Sequence, residues 1–208
     1  MQISSVATQP HASDAVLRAM FSARKRVFVD LLKWDVPVLA DAYELDQFDT
    51  PEATYLVLAD QESGHRASTR LLRTDGPHIL GDLFPMLCRE PIPERPDYRE
   101  ITRFCIEPTL PRGERRRARN ELISALVDNA LETGISAYTA VATPGWYRQI
   151  VTFGWECRAL GDERFVGHET LVALQIEIGP DTPAALARNG IYTRGSYQIG
   201  GTRRELVS

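Results

Sequence analysis

Cysteine is scarce in this chain of 208 residues, and its three cysteines, Cys88, Cys105 and Cys157, are widely spaced. They form no CxxC pair and their number is odd, which argues against a disulfide framework and suits a reducing cytoplasm. No apolar run approaches the length of a membrane-spanning helix. The first residues also lack a basic stretch followed by an apolar one, so we expect no signal peptide. These absences predict a cytoplasmic protein without membrane contact.

Signals for several common kinds of site are missing as well. The formal net charge is -4, which argues against nucleic acid as a partner. The four histidines are scattered and suggest no metal site. There is no GxSxG motif, and no cysteine has an obvious histidine partner, so covalent catalysis has no visible candidate. The chain is otherwise of ordinary composition, and we expect residues 1–208 to form a single domain with a substantial core.

Periodicity and turn residues predict a mixed α/β protein. Helices follow or separate most of the strands, so we expect one central mixed sheet covered by helices. The predicted order is a strand at 2–6, a helix from 14 to about 32, an ordered loop at 33–49, a hairpin with strands 54–59 and 66–73, a short helix within 77–87, a strand at 100–107, a long helix at 113–133, a strand at 136–142, a helix at 144–153, strands at 155–160 and 169–178, and a short helix at 183–188.

Two aspartates, Asp46 and Asp49, flank Phe48 shortly before Pro51. One interpretation is that they are turn residues bonded to their own backbone. The other is that they hold arginines and a cationic substrate. Arg70, on the return strand of the predicted hairpin, is a natural ion-pair partner for either aspartate. An arginine there would also clamp a substrate carboxylate through two hydrogen bonds.

Arg24 and Phe28 stand four residues apart on the first predicted helix, so they share one face, and Trp34 follows just beyond it. Taken alone, the arginine is typical of a surface and the two aromatic residues of a core. Together, aromatic faces next to carboxylates would suit a ligand that carries both an ammonium and a sulfonium.

Glu100 and Arg103 lie three apart on one predicted strand, so a regular strand would point them to opposite faces. Glu100, Thr102 and Phe104 would then share a face. Either the strand carries a bulge, as strands beside active sites often do, or the two charged residues serve different tasks. We expect Glu100 near a reacting amine and Arg103 tied to the two aspartates. A plain ion pair at the edge of a strand is the alternative.

A cluster of arginines opens the long helix, including Arg112, Arg115 and Arg116. Cations are disfavoured there because the free N–H groups of a helix N-terminus are already positive. A phosphate group would resolve the conflict, and the phosphopantetheine of a carrier protein or the phosphates of coenzyme A would fit. The alternative is a solvated charged face. The glycine-rich pyrophosphate loop of ordinary GNAT acetyltransferases is absent.

The charged and aromatic residues described so far occur in an order that resembles the acyl-homoserine-lactone synthases, the LuxI-type autoinducer synthases. The resemblance runs from about residue 18 to residue 178 and is strongest in the first half. It implies a GNAT-like three-layer α/β/α fold. It rests on Arg24, Phe28, Trp34, Asp46, Asp49, Arg70, Phe84, Glu100 and Arg103.

The second half of the chain varies more within this family and sets the choice of acyl chain. Alignment on Gly154 and Trp155 puts Ala140 where synthases of 3-oxo-acyl signals often carry threonine. Alanine cannot hydrogen-bond a 3-oxo group, although the nearby Thr143 hydroxyl is another candidate. Trp146 makes this stretch bulky. We therefore assign Ala140, Thr143 and Trp146 to the acyl pocket.

The acyl donor stays open between an acyl carrier protein and coenzyme A. Carrier-dependent relatives often show several basic residues on the helix that follows the acyl-pocket strand. Of these only Arg148 is present in this chain. We assign Arg148 to donor binding together with the arginines of the long helix.

The resemblance implies a reaction without metal or redox cofactor. Glu100, directly or through water, takes a proton from the amine of S-adenosylmethionine, which then attacks an acyl thioester. The substrate carboxylate then closes the lactone and displaces methylthioadenosine. Two alternatives remain, a GNAT-like N-acyltransferase for another amine and a non-enzymatic acyl-carrier-binding module. The predicted catalytic residues are Asp46, Asp49, Arg70, Glu100 and Arg103, with Arg24, Phe28, Trp34, Phe84, Thr102 and Phe104 binding substrate.

Overall fold

The computed structural model describes residues 2–7, 14–60 and 64–193. Its strands and helices follow the predicted order. They are β1 (Gln2–Ala7), α1 (Asp14–Arg24), β2 (Val38–Leu39), β3 (Tyr43–Glu44), β4 (Thr54–Asp60), β5 (Gly64–Arg73), α2 (Ile79–Leu83), β6 (Tyr98–Ile106), α3 (Arg112–Thr133), β7 (Ala137–Ala142), α4 (Pro144–Val151), β8 (Glu156–Ala159), β9 (Arg164–Val166), β10 (Glu169–Glu177) and α5 (Thr182–Arg188). No helix in these ranges is long and apolar enough to cross a membrane.

One large mixed sheet forms the centre, with the strand order β1-β4-β5-β6-β7-β10-β8 and with β9 paired to β10. All neighbouring strands are antiparallel except β6 and β7, which are parallel. A parallel pair needs a crossover connection, and α3 provides it. This helix ends at Gly134, whose φ of 76° lies in the left-handed region that glycine adopts at helix ends.

Helices cover both faces of the sheet. On the face called here the α1 face, Met20 of α1 and Ile79 of α2 pack on Tyr55, Val57 and Leu72. On the opposite face, the α3 face, a larger cluster joins the sheet to α3, α4 and α5. It includes Leu56, Leu58, Leu122, Leu126, Ile150, Leu174 and Leu186. The molecule therefore has the three-layer α/β/α arrangement that the resemblance implied.

The parallel strands β6 and β7 separate along their length. They pair from Tyr98 opposite Ala137 to Ile101 opposite Ala140 and no further. Beyond this point β6 stays paired with β5 as far as Ile106, and β7 stays paired with β10. The two strands therefore diverge beside the second half of β6, and this divergence is called here the β6–β7 gap.

Three local features differ from the prediction. The first helix continues beyond Arg24 as a π-helix from Lys25 to Leu31, whose wider turns are often found at functional sites. The predicted loop at 33–49 contains the small hairpin of β2 and β3. Strand β9, which pairs with β10, was not predicted, because three residues are too few to stand out in the sequence.

Candidate active site

A row of three residues on adjacent strands marks the site on the α1 face. Tyr55 on β4 lies opposite Arg70 on β5, and Arg70 lies opposite Thr102 on β6. Residues that pair directly across strands project from the same face. The row therefore places a buried arginine between two hydroxyl groups, under helix α1.

Six charged side chains meet above this row in one network. Three are arginines and three are carboxylates, so their formal charges cancel. They come from α1, from β3 and the turn after it, and from β5 and β6. The members of the network are Arg24, Glu44, Asp46, Asp49, Arg70 and Arg103.

Arg24 forms the rear of the network. Its two terminal nitrogens donate to the two carboxylate oxygens of Asp49 at 2.7 and 2.8 Å, and its Nε donates to Glu44 at 2.5 Å. Burial works against both charges, but the paired contacts outweigh it. They hold the pKa of Asp49 well below its usual range and raise the pKa of Arg24. Both members of the pair are therefore ionised at neutral pH.

Arg70 has three partners within the protein. Its Nη1 lies 2.6 Å from Asp46 and 2.8 Å from Asp49, and its Nε donates to the Thr102 hydroxyl at 2.9 Å. The side chain is also completely buried. The predicted pairing with either aspartate thus occurs with both. Its Nη2 also donates to Asp46 at 3.1 Å. The expectation that Arg70 would clamp a substrate carboxylate stays a prediction.

The two aspartates bond to the backbone of their turn and also pair with arginines, whereas the predicted contact with a cationic substrate stays a prediction. The backbone N–H of Phe48 donates to Asp46, and the backbone N–H of Asp46 donates to Asp49. These bonds form the turn, while the same carboxylates bind the arginines. The turn therefore fixes the carboxylates before any ligand binds.

Arg103 owes its position to a bulge in β6. Ser68 and Arg70 of β5 lie opposite Cys105 and Thr102, so β6 has one more residue than β5 in this interval. Arg103 is the extra residue, and its φ of 51° is in the left-handed region. Glu100, Thr102 and Arg103 thus face α1 together, whereas Phe104 packs on the α3 face. Of the two alternatives for this strand, the structure has the bulge.

Arg103 binds Glu44 and Asp46, with Nη2 at 2.9 and 2.7 Å from the two carboxylates. The expected tie to the aspartates is therefore made through Asp46. Phe28 and Trp34 stack with their ring centres 4.8 Å apart. The Arg103 guanidinium lies over both rings, 5.5 and 5.7 Å from their centres. The π-helix and the following loop thus bring an aromatic pair to the open side of the network.

Glu100 is buried beneath α2, beside the network. Its two carboxylate oxygens accept the backbone N–H groups of Ile79 and Leu80 at 2.7 and 2.8 Å. Burial raises the pKa of Glu100 to about 7, although these two bonds oppose the shift. Glu100 thus binds the first turn of α2 and also lies close to the charge network. Phe84, at the end of α2, packs on the same side of the sheet.

The predicted acyl-pocket residues lie mostly on the α3 face. Ala140 is buried opposite Ile101 and Leu174. Phe104 and Trp146 meet at the β6–β7 gap with their ring centres 5.7 Å apart. Thr143 is exposed and accepts the backbone N–H of Trp146 as the N-cap of α4. The structure therefore joins Ala140, Trp146 and Phe104 in one region and leaves Thr143 at its edge.

The predicted phosphate-binding arginines are exposed and apart from the network. Arg112, Arg115 and Arg116 lie in the first turns of α3. Arg148 lies on α4, with its Nη1 3.7 Å from Glu163. They lie at the surface, where a large anionic donor would have access.

Two residues of the site were not predicted. Glu44 is buried between Arg24 and Arg103, and the Tyr55 hydroxyl donates to Asp49 at 2.8 Å. Burial and the charge of Asp49 raise the pKa of Tyr55. The sequence carried one usable signal, a third acid two residues before Asp46. Within the described ranges, no group of three or more acidic, histidine or cysteine side chains is arranged to hold a metal ion.

A sheet with helices on both faces and one diverging parallel pair defines a GNAT-like acyltransferase fold. A putative N-acetyltransferase from Lactobacillus plantarum has a similar fold, with a TM-score of 0.57 at 17% identity over 86% of this chain and 98% of its own. The chain also matches the family described as autoinducer synthase over residues 9–185. It therefore belongs to that family, and it is an acyltransferase of the acyl-homoserine-lactone synthase type, which serves quorum sensing.

Individual relatives agree with this assignment. An acyl-homoserine-lactone synthase of Ralstonia nicotianae is 31% identical over 186 residues, covering 87% of this chain and 90% of its own length. Among solved structures, the CoA-dependent acyl-homoserine lactone synthase BjaI, bound to SAM and isopentyl-CoA, has a TM-score of 0.84 at 24% identity. This match covers 97% of this chain and 94% of BjaI. BjaI therefore supports the fold.

Proposed function

We propose that the charge network and the β6–β7 gap together join S-adenosylmethionine to an acyl chain. The amine of S-adenosylmethionine attacks the carbonyl of an acyl thioester and releases the thiol. The carboxylate of the acylated product then attacks its own γ-carbon, which closes the lactone and displaces methylthioadenosine. The observation that carries this proposal is a charge network of three arginines and three carboxylates whose Arg103 lies over a stacked aromatic pair.

The exposure of the network distinguishes the residues that contact substrate. The side chains of Asp46 and Arg103 are 6% and 8% exposed, whereas those of Arg24, Glu44, Asp49 and Arg70 are at most 1% exposed. Asp46 and Arg103 therefore form the front of the network. Asp46 receives the substrate ammonium and Arg103 the substrate carboxylate. The four residues behind them hold these two in place.

The aromatic pair suits the sulfonium. The faces of Phe28 and Trp34 already attract one cation, the Arg103 guanidinium. Aromatic faces favour a weakly hydrated cation such as a sulfonium for the same reason. When Arg103 turns toward the substrate carboxylate, the sulfonium takes its place beside the rings. The sulfonium is a good leaving group, so the protein mainly fixes geometry in the lactonisation step.

Glu100 is the proposed base for the first step. A pKa of about 7 lets this carboxylate accept a proton near neutral pH. Each of its oxygens retains a lone pair besides the one bonded to α2. Because Glu100 is completely buried, the proton reaches it through a water molecule admitted with the substrate.

The acyl chain occupies the opposite face of the sheet. The β6–β7 gap leads from the network to Ala140, Phe104 and Trp146. Apolar side chains surround this region, and no hydroxyl stands at position 140. The pocket therefore suits a short or medium chain that is unsubstituted at C3.

The donor is an acyl carrier protein or coenzyme A, and either would place phosphate near the exposed arginines of α3 and near Arg148. Hydrolysis and redox steps are absent from the proposed chemistry, so it requires no metal or redox cofactor. Three free cysteines, Cys88, Cys105 and Cys157, support a cytoplasmic location. We propose no nucleic-acid or membrane partner, in keeping with the net charge of -4.

Purified protein incubated with S-adenosylmethionine and acyl thioesters tests the proposal. Equal amounts of methylthioadenosine and acyl-homoserine lactone are expected, as measured by mass spectrometry. Thiol release with another amine and no methylthioadenosine would indicate a different N-acyltransferase. Tight binding of acyl carrier protein without turnover would indicate a binding module. Parallel assays with acyl carrier protein and coenzyme A thioesters identify the donor.

A further inference from the structure

One proton must leave the site in each round of the proposed acylation. The ammonium of S-adenosylmethionine loses two protons when it becomes an amide, and the released thiol takes up only one of them. The other proton passes to Glu100, the proposed base. Because the side chain of Glu100 is completely buried, its carboxyl does not exchange this proton directly with bulk water. Each turnover therefore requires a route from Glu100 to the surface.

Most neighbours of Glu100 offer no such route. Its oxygens accept the backbone N–H groups of Ile79 and Leu80, which donate and do not accept. The charged groups that act on it are Arg70 of β5 and Asp82 of α2. An arginine stays protonated, so Arg70 takes up no further proton. Asp82 is exposed and makes no hydrogen bond to Glu100 in the described part of the chain. The route must therefore start at another polar group.

The strand on the other side of Glu100 provides such a group. Thr139 of β7 lies directly opposite Glu100 and projects from the same face of the sheet. Paired strands are about 4.8 Å apart, a distance that one water molecule can bridge between a hydroxyl and a carboxyl. The Thr139 hydroxyl is completely buried, and none of the described residues hydrogen-bonds to it. Buried hydroxyls are nearly always bonded, so this one marks a place that suits a water molecule.

Polar side chains continue from Thr139 toward the surface. Gln175 of β10 lies opposite Thr139 and is also buried. Its amide nitrogen donates to the Tyr98 hydroxyl at 3.5 Å and to Glu177, so the amide is fixed on both sides. Tyr98 is half-buried and thus reaches solvent. These residues, Thr139, Gln175 and Tyr98, are called here the polar track.

Apolar residues border the polar track and confine water to it. Val141 and Ala173 form the next pair along β7 and β10 after Thr139 and Gln175. They belong to an apolar cluster on this face, together with Leu80 of α2. A proton that leaves Glu100 therefore meets hydroxyl groups in one direction and hydrocarbon in the other.

We propose that the polar track carries the proton from Glu100 to solvent, and that Thr139 is a positioning residue that holds the first water molecule of this route. The Glu100 carboxyl gives its proton to this water, which gives one of its own to the Thr139 hydroxyl. The hydroxyl passes on its former proton toward the Tyr98 phenol and solvent. Only O–H bonds break and form, and one proton leaves Glu100 for each proton that reaches the surface. The proposal rests on the proposed function, because it concerns the base of the acylation step.

The test is Thr139→Val, which keeps the shape of the side chain and removes the hydroxyl. Because this hydroxyl has no partner within the described protein, valine should not lower the stability. We expect kcat to fall about tenfold, less than the loss of the base itself, because local opening still lets some water reach Glu100. The first turnover, measured with enzyme in excess, needs no proton to leave Glu100. Its rate and the affinity for S-adenosylmethionine should therefore stay within about twofold of wild type.

Three further variants sharpen the test. Thr139→Ser restores a hydroxyl and should recover most of kcat, whereas Tyr98→Phe should lower kcat less than Thr139→Val does. Thr69→Val is the control, because Thr69 is a buried threonine of β5 whose hydroxyl donates to the Thr102 carbonyl, outside the polar track. It should leave the ratio of kcat to the first-turnover rate unchanged. Because all donors share the proton route, none of these variants should alter the choice of acyl chain.

A high-resolution crystal structure gives a readout that does not depend on turnover. Wild-type protein should show a water molecule within hydrogen-bond distance of both Thr139 and Glu100, and Thr139→Val should lack it. No such water in wild type would overturn the proposal. So would a Thr139→Val protein whose kcat and first-turnover rate are both normal or fall by the same factor.

The two proposals fail in distinguishable ways. If wild-type protein does not use S-adenosylmethionine, the proposed function fails, and the crystal structures still decide whether Thr139 holds a water molecule against Glu100. If Thr139→Val does not fold, the same measurements are made on Thr139→Ala, which also removes the hydroxyl and for which the same results are expected.

Discussion

The two faces of the sheet are built by different physical means. On the α1 face, six charged side chains fix one another through hydrogen bonds of defined length and direction. On the α3 face, Ala140, Phe104 and Trp146 meet through apolar packing, which has no preferred direction. Substitution on the α1 face should therefore cost stability and activity together. Substitution on the α3 face should change which chain is accepted while leaving the chemistry in place.

The largest effect is expected where the network is broken. Asp49→Ala leaves Arg24 and Arg70 each with one carboxylate fewer. Breaking a buried pair in this way costs about 3–5 kcal/mol, and activity should be lost as well. Arg103→Ala should likewise lower both the free energy of unfolding and the activity. Urea unfolding and methylthioadenosine release measure the two effects.

The control for this prediction is Asp75→Ala. Asp75 pairs with Arg73 at 2.6 Å, but both side chains are open to solvent. Such a surface pair contributes less than about 1 kcal/mol. Equal losses in Asp49→Ala and Asp75→Ala would remove the distinction between the network and an ordinary ion pair.

The second prediction concerns the base. Glu100→Gln removes the proton acceptor, and the loss of a general base typically lowers the rate by about 10²–10⁴-fold. Binding of S-adenosylmethionine should persist, as calorimetry would detect. Glu121→Gln is the matched control, because Glu121 is a buried acid on α3 whose pKa burial also raises. A normal kcat in Glu100→Gln would restrict Glu100 to its structural contact with α2.

Glu100 should also appear in the pH dependence of stability. Its native pKa of about 7 exceeds the unfolded value of 4.5, so between these values the native state binds more protons than the unfolded state. The contribution of Glu100 to the free energy of unfolding therefore falls as the pH rises from 4.5 to 7, and it is constant above pH 7. His65 acts in the opposite sense, because burial lowers its pKa to about 4.

The difference between wild type and Glu100→Gln cancels the contribution of His65. We expect the stability of wild type relative to Glu100→Gln to decline between pH 5 and pH 7 and then to remain constant. Urea unfolding at pH 5, 6, 7 and 8 measures it. A difference that does not vary with pH would mean that Glu100 titrates normally.

The smallest effects are expected on the α3 face. Ala140→Thr should raise the use of a 3-oxo donor relative to an unsubstituted donor of equal length. Trp146→Ala should admit longer chains. Such changes in a pocket are worth about 1–3 kcal/mol, and competition between donors with lactones counted by mass reveals them.

Thr139→Ala is the control, because Thr139 lies opposite Glu100 and thus projects to the other face of the sheet. It should leave the ratio of lactones unchanged. A wild-type preference for the 3-oxo donor would show that position 140 does not control the choice.

Sequence reasoning identified the order of elements and five of the six network residues because strand periodicity and the family pattern mark them. It could not identify Glu44, since the loop at 33–49 has no periodicity and the hairpin of β2 and β3 exists only through its tertiary contacts. The bulge at Arg103 was one of two alternatives. No neighbouring residue in the sequence favours a left-handed arginine. The carboxylates that bind Arg103 are distant in the chain, and Glu44 is separated from it by 59 positions.

The loss of pairing between β6 and β7 has a consequence for how such a protein changes over generations. In the proposed function, the chemistry and the choice of acyl chain lie on opposite faces of the sheet, on either side of the point where the two strands part. On this proposal, mutations at Ala140 or Trp146 change side chains of the α3 face and leave the contacts of the charge network in place. A lineage that carries this fold would then alter its signal in small steps, while the reaction that makes the signal is inherited unchanged.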